Sequence, residues 1–171
     1  MKMGRLTTLL LCFAAAGVPA AFVWAWLAEP AQWVVSDGKL FLTEANAGGQ
    51  FDVLVIFTII GFVLALVFGI LTERLARPNR WQTVFALALA AVAAAIICWQ
   101  LGIVLGPPAP GETPGLKSGD LVAAQLKVDA LAPFLAWPLG AVLGYTLSFY
   151  LGSDGLHADD EDEVPVDGPS A

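Results

Sequence analysis

The sequence predicts an all-α membrane protein: a bundle of four transmembrane helices with a small extracytoplasmic cap that contains a β-hairpin. Of its 171 residues, 58% are hydrophobic and 13% are charged, whereas soluble domains usually carry about 25% charged residues. Four apolar stretches are each long enough to cross a bilayer, which takes about 20 helical residues. Each stretch also carries small residues at every fourth position, a spacing that lets two membrane helices approach closely.

The four predicted spans share this pattern but differ in detail. The first follows a short basic N-terminus, and its apolar run continues past Pro19 without a polar break. We therefore interpret it as an uncleaved anchor, with a signal peptide cleaved near Ala20 as the alternative. Pro133 lies in the first turn of the fourth span, where a missing N–H does little harm. The predicted spans are residues 6–28, 53–71, 81–105 and 133–152.

The small residues are predicted to form one helix-packing face on each span. Four such faces favour a compact bundle whose interior leaves little space for a wide pore. A face turned outward would instead join two bundles, and the sequence does not choose between these arrangements. The predicted packing residues are Gly17, Ala21 and Ala25; Gly61, Ala65 and Gly69; Ala86, Ala90 and Ala94; and Gly140, Gly144 and Ser148.

Two long outer loops, 29–52 and 106–132, carry the patterned sequence outside the spans. In the first loop, QWVV and KLFLTE flank Asp37-Gly38, which is typical of a β-hairpin. The segment 45–50 that follows, ANAGGQ, is expected to be a flexible return to the membrane. In the second loop, the imperfect alternation of 120–129 favours either a third strand or a short amphipathic segment.

The distribution of basic residues predicts the orientation of the bundle. Lysine and arginine mark the cytoplasmic side of membrane proteins. We therefore predict a multi-pass plasma-membrane protein with both termini in the cytoplasm. One side carries Lys2, Arg5, Arg74, Arg77 and Arg80, and the other carries only Lys39, Lys117 and Lys127.

Three of these arginines, Arg74, Arg77 and Arg80, are also candidates for contact with anionic lipid head groups. Their part in setting the topology would account for them without any further role. The bilayer itself is therefore a predicted partner, alongside a membrane-protein partner or a second copy of the chain.

The C-terminal residues 153–171 are predicted to form a disordered, acidic, cytoplasmic tail after a transmembrane domain of residues 1–152. This tail holds seven of the fifteen acidic residues and few apolar ones, so it cannot bury enough surface to offset its chain entropy. The remaining eight acids balance the eight bases. Neither part offers a basic surface, so nucleic acid is not an expected partner.

The sequence offers little chemistry for catalysis. His157 is the only histidine and falls in the predicted tail, which argues against histidine triads and histidine-based zinc sites. Cys12 and Cys98 lie in apolar stretches and are interpreted as small hydrophobic residues. No catalytic residue, cofactor site or metal site is predicted, and the protein is not expected to be an enzyme.

Several polar residues have both a functional and a structural interpretation. Asp52 is expected to stabilise the start of the second span through the helix dipole. Gln100 is expected to make one interhelical hydrogen bond, with a polar pocket as the alternative. The acids 159–163 beside His157 could chelate cations, but solvated disorder is the simpler explanation.

Short motifs spread over the chain carry a resemblance to a known family. They are Asp37-Gly38, Phe51-Asp52, the basic turn ARPNR, the segment LGIVLGP and Trp137-Pro138. Over most of residues 6–152 the chain resembles a family of small actinobacterial membrane proteins catalogued only as a domain of unknown function. That resemblance implies no activity.

The predicted function is that of a non-enzymatic structural or accessory subunit of an envelope complex. The alternative is a component of a small-molecule or lipid transporter, in which Gln100, Thr58 and the bundle interior form the path. A third hypothesis is an enzyme that acts on lipid through Asp52 or Asp129.

Overall fold

The computed structural model describes residues 2–36, 39–42, 44–76, 81–112, 115 and 117–158. The Asp37-Gly38 turn, Arg77, Arg80 and residues 159–171 of the predicted tail therefore lie outside the described residues. Within the described part, four helices are long and apolar enough to cross a membrane. They are α1 (Lys2–Leu27), α2 (Glu44–Ala76), α3 (Trp81–Leu105) and α4 (Ala132–Ala158).

The predicted flexible segment 45–50 is instead the beginning of α2. Its two glycines suggested flexibility, because glycine lowers helix stability by about 0.5–1 kcal/mol relative to alanine. In the structure, a Cβ atom on Gly49 would meet the backbone nitrogen of Ala31 and the carbonyl oxygen of Glu29. Gly49 therefore allows the chain after α1 to cross the helix closely, a tertiary contact that local sequence does not reveal.

The last helix also extends beyond its predicted end at residue 152 and continues to Ala158. Residues 153–158, predicted to be disordered, are therefore helical. The end of an apolar run marks where a membrane span can end. It does not mark the end of the helix, because helical hydrogen bonds join backbone groups and need no apolar side chains.

The helices form two close pairs, α2 with α4 and α1 with α3. Contacts of α3 with α4 and of α1 with α2 join these pairs into one bundle. Near the middle of the bundle, Phe13 of α1 stacks on Phe68 of α2 with ring centroids 4.6 Å apart. The result agrees with the predicted bundle of four helices.

A three-stranded antiparallel sheet lies at one end of the bundle. Its strands are β1 (Gln32–Ser36), β2 (Lys39–Leu42) and β3 (Leu121–Ala123), in the order β2-β1-β3. β1 and β2 pair antiparallel, with Ser36 opposite Lys39, which confirms the predicted hairpin. The third strand also forms, but it is shorter than the pattern of 120–129 suggested.

The two faces of the sheet differ in their burial. One face carries Val35 and the paired residues Trp33 of β1 and Val122 of β3, and the side chains of Val35 and Val122 are buried there. Alternation along the strands places Val34 and its partner Phe41 on the opposite face. We call the sheet together with segments 28–31, 106–112 and 124–131 the cap.

Segment 124–131 closes the cap onto the bundle. The Ala124 N–H donates to the carbonyl of Ala31 at 2.7 Å, which extends the pairing beyond β3. Leu126 and Val128 are then buried in the hydrophobic core. The cap and the bundle therefore share one core.

Candidate binding site between the cap and the bundle

Gly69 of α2 and Gly140 and Gly144 of α4 lie directly against the backbone of the facing helix. A Cβ atom on Gly144 would meet the carbonyl oxygen of Leu66, and one on Gly69 would meet the carbonyl oxygen of Ala141. Gly17 makes the same kind of approach between α1 and α3, where the facing carbonyl belongs to Ala94. These contacts use the predicted faces of α1, α2 and α4 inside the bundle.

The predicted packing residues of the first, second and fourth spans are almost all buried. Ala25 is the exception, because it is only half-buried. The buried members are Gly17 and Ala21; Gly61, Ala65 and Gly69; and Gly140, Gly144 and Ser148.

The predicted face of α3 needs correction. Ala94 is buried, but Ala86 and Ala90 are only half-buried. Alanine occurs on several sides of this helix, so a fourfold spacing of alanines does not identify the side that packs. The buried row is instead Thr83, Leu87, Ala91, Ala94, Ala95, Cys98 and Gly102.

An aromatic cluster fills the bundle beneath the cap. Phe57 of α2 lies at its centre, with ring centroids 5.1 Å from Trp24, 5.2 Å from Phe134 and 5.6 Å from Trp137. Trp99 of α3 joins the cluster through an edge contact with Phe134 at 5.7 Å. All four helices therefore contribute a ring to this part of the core.

The indole N–H groups of the cluster differ in their hydrogen bonding. Trp24 Nε1 donates to the carbonyl oxygen of Val53 at 3.0 Å and so ties α1 to α2. Trp99 Nε1 and Trp137 Nε1 are buried without a partner among the described residues. Trp137 instead lies flat against Gly61, where a Cβ atom would meet the indole ring.

A pocket of about 420 Å³ lies between the cap and the start of α2, and we call it the cap pocket. This volume falls within the range of about 300–1,000 Å³ that is usual for small-molecule sites. Its apolar wall combines Trp33 and Leu40 from the sheet with Val53 and Leu54 from α2 and Pro110 from the second loop.

Within the described part of the chain, polar side chains enter the cap pocket from two segments. Gln50 of α2 and Gln125 of segment 124–131 contribute side-chain amides. Lys127 and Asp129 contribute a cation and an anion that pair with each other at 2.8 Å. The pocket is therefore mostly apolar and carries no net charge.

The sequence did not identify the cap pocket as a site. Its lining comes from both outer loops and from α2, of which the sequence places Gln50 in the first outer loop and Val53 and Leu54 in the second span. The available clue was Trp33, a large aromatic residue in a short strand beside a membrane span.

Asp52 does not hold the position predicted for it. Because α2 begins at Glu44, Asp52 lies beyond the first helical turn, where the helix dipole has little effect. It lines a shallow polar cleft with Glu29 and Gln32. Asp129 lines the cap pocket instead, so the structure does not place the two acids considered for catalysis in one cavity.

Gln100 is exposed on the outside of α3, and within the described residues its amide makes no hydrogen bond to another helix. The predicted interhelical bond is absent there because neighbouring Cys98 and Gly102 occupy the inward side of the helix. The Thr58 hydroxyl donates to the carbonyl oxygen of Leu54 in its own helix at 2.7 Å.

Arg74 lies at the end of the bundle away from the cap. Its Nε donates to the hydroxyl of Ser148 at 3.1 Å, which connects α2 to α4. This contact gives Arg74 a packing role in addition to its predicted lipid contact. The positions of Arg77 and Arg80 are not among those described.

The described residues contain no group of three or more histidine, cysteine, aspartate or glutamate side chains that could hold a metal ion. Cys98 is buried, Cys12 is exposed, and both are free thiols. The described groups that line the cap pocket suit binding through apolar walls and amides.

Comparison of the chain with protein-family models, curated proteins and solved structures finds no match. The resemblance to a family of small actinobacterial membrane proteins therefore stays a prediction.

Proposed function

We propose that this protein is a non-enzymatic accessory subunit of an envelope complex in the plasma membrane. Both termini lie in the cytoplasm, and the cap faces outward and binds a membrane-associated protein partner. The single observation that carries this proposal is the apolar outer face of the cap sheet.

Three side chains form this apolar face as one row across the sheet. Val34 of β1 pairs with Phe41 of β2 on one side and with Leu121 of β3 on the other. Phe41 is 51% exposed and Leu121 is 61% exposed. An antiparallel sheet with one face in water normally carries polar residues there. Exposed apolar patches of this kind often mark interaction sites.

The membrane assignment is supported by the outer surface of the bundle. Large apolar side chains project from every helix, including Phe22 at 57%, Val63 at 55%, Leu89 at 70% and Leu139 at 64% exposure. Exposing such residues to water on all sides would be unfavourable, by about 25 cal/mol per Å² of apolar surface. A bilayer removes this cost.

The transporter alternative receives less support from the structure. Glycine-to-carbonyl contacts bring α2 against α4 and α1 against α3, which leaves little interior space along these pairs. Gln100, the polar residue considered for a path, is exposed on the outside of α3. We therefore expect Gln100→Leu to leave the behaviour of the protein in membranes unchanged.

Photo-crosslinking in native membranes tests the accessory-subunit proposal. A benzophenone-bearing phenylalanine replaces Phe41 in the cap, and in a matched variant it replaces Leu89, which is exposed on α3. After irradiation, the Phe41 position should yield a discrete adduct with a second protein. The Leu89 position should yield lipid adducts, because that side chain faces the bilayer.

Co-purification of single-residue variants provides the second arm. Leu121→Ser should lower recovery of the crosslinked partner, whereas Ala130→Ser, at an exposed position of the cap outside the sheet, should leave recovery unchanged. If the Phe41 position captured only lipid, or only a second copy of this chain, the accessory-subunit proposal would be wrong.

A further inference from the structure

The cap pocket has the features of a site for an amphiphilic molecule. Trp33 and Leu40 from the sheet and Val53 and Leu54 from α2 form an apolar wall around a volume of about 420 Å³. Sites of this kind combine a mostly apolar lining with a few polar groups that orient the ligand. An apolar chain or ring would therefore gain free energy by leaving water for this pocket.

The polar groups of the pocket favour an uncharged head group. Among the described residues, the charged side chains that line it are Lys127 and Asp129, which pair with each other at 2.8 Å and cancel in charge. The structure records no hydrogen bond to the side-chain amides of Gln50 and Gln125 from the residues it describes. Each amide offers both donors and an acceptor, so a hydroxyl or amide of a ligand can bind there.

The position of the pocket in the fold supports the same ligand class. Val53 forms part of its floor, and its carbonyl accepts the Trp24 N–H at the top of the aromatic cluster. Val53 and Leu54 thus place an apolar side of the pocket against the bundle, and Gln50 of α2 and Gln125 of the cap add an amide from each side. A molecule with an apolar body and a polar end matches a lining that offers both kinds of group.

We infer that the cap pocket binds a neutral, single-chain amphiphile, with its apolar chain against Trp33 and Val53 and its uncharged head beside Gln50 and Gln125. This site is separate from the proposed docking face, because Val34, Phe41 and Leu121 lie on the other face of the sheet. It goes beyond the accessory-subunit proposal and does not depend on the identity of a protein partner.

Photo-labelling of the full chain in lipid nanodiscs tests this inference. The probe is a long-chain monoacylglycerol with a diazirine in its chain, and the matched probe is the fatty acid with the same chain and diazirine. After irradiation, mass spectrometry should locate the monoacylglycerol on peptides that contain residues 50–54 or 109–111. Excess unlabelled monoacylglycerol should remove this labelling.

Two adjacent alanines provide matched variants. Ala124 lines the cap pocket, whereas Ala123 lines the shallow polar cleft beside it. Ala124→Trp should fill the pocket and lower labelling by about tenfold, equivalent to a loss of about 1.4 kcal/mol in binding free energy. Ala123→Trp carries the same added volume and should leave labelling within about twofold of the unmodified chain.

Variants that keep the pocket open test the role of its polar groups. Gln125→Leu should weaken labelling by the monoacylglycerol several-fold, because the new side chain cannot bond the head group. Gln32→Leu, in the shallow polar cleft outside the cap pocket, should leave this labelling unchanged. The inference would be overturned if the fatty acid labelled the pocket more strongly than the monoacylglycerol and Lys127→Gln abolished that labelling. Equal labelling in the Ala124→Trp and Ala123→Trp variants would also overturn it.

Discussion

Glycine at single positions sets the distance between α2 and α4. A Cβ atom on Gly144 would meet the Leu66 carbonyl oxygen, which is backbone and cannot turn away as a side chain can. We expect Gly144→Ala to destabilise the protein by about 1–3 kcal/mol, the usual cost of overpacking. Reversible unfolding in mixed detergent micelles measures this change.

The control for this prediction lies on the same helix. A Cβ atom on Gly152 would meet nothing within 4 Å, so Gly152→Ala should be neutral or stabilise the helix by about 0.5–1 kcal/mol. If both substitutions had the same effect, close packing of α2 on α4 would not be the reason for glycine at residue 144.

Two buried tryptophans allow the contribution of one hydrogen bond to be measured. Trp24 and Trp137 are both 0% exposed, but only Trp24 has a hydrogen-bond partner for its indole N–H among the described residues. Trp24→Phe removes a bond, whereas Trp137→Phe removes a buried donor that was unsatisfied. We expect Trp24→Phe to lower the free energy of unfolding more, by at least about 1 kcal/mol.

The same pair of variants controls for the loss of ring volume, since each replaces an indole by a phenyl ring. Unfolding followed by circular dichroism in detergent gives the two free energies. An equal loss in both variants would mean that the Trp24–Val53 hydrogen bond adds no net stability.

At the scale of elements, the beginning of α2 depends on a close crossing of the chain. A Cβ atom on Gly49 would collide with the backbone of Ala31, whereas one on the adjacent Gly48 would meet nothing within 4 Å. We expect Gly49→Ala to displace the chain that leads into β1 and to increase hydrogen exchange of the amides of 32–36. Gly48→Ala should leave this exchange unchanged, and equal protection in both variants would contradict the crossing.

The helical elements were largely predictable because each rests on local information. The third span, 81–105, agrees with α3 at both ends, since a basic turn precedes it and a Pro/Gly-rich loop follows it. The first turns of α2 were missed because Gly48 and Gly49 oppose a helix locally, and only contact with Ala31 explains Gly49. The packing face of α3 was misplaced because its many alanines make several faces look alike.

At the scale of the whole molecule, the candidate site could not be predicted because separate segments assemble it. Trp33, Gln50, Pro110 and Gln125 line one pocket but come from four distant parts of the chain. Their convergence depends on the pairing of β1 with β3 and on the extension of α2 toward the cap. The alternation of 120–129 left the third strand as one of two alternatives, and the extension of α2 does not follow from hydrophobic periodicity, which reports on one segment at a time.

The distribution of charge predicts the orientation of the molecule, which decides the compartment that the cap pocket faces. Lys39 and Lys117 lie at the cap, while Arg5 lies at the opposite end, and the excess of basic residues at the latter predicts that it is cytoplasmic. In a background with Cys12→Ser and Cys98→Ala, a membrane-impermeant maleimide should label Lys39→Cys and Lys117→Cys in intact cells. Arg5→Cys should be labelled only after permeabilisation, because the reagent cannot reach the cytoplasm. Labelling of Arg5→Cys alone in intact cells would reverse the orientation and place the cap pocket and the apolar sheet face inside the cell.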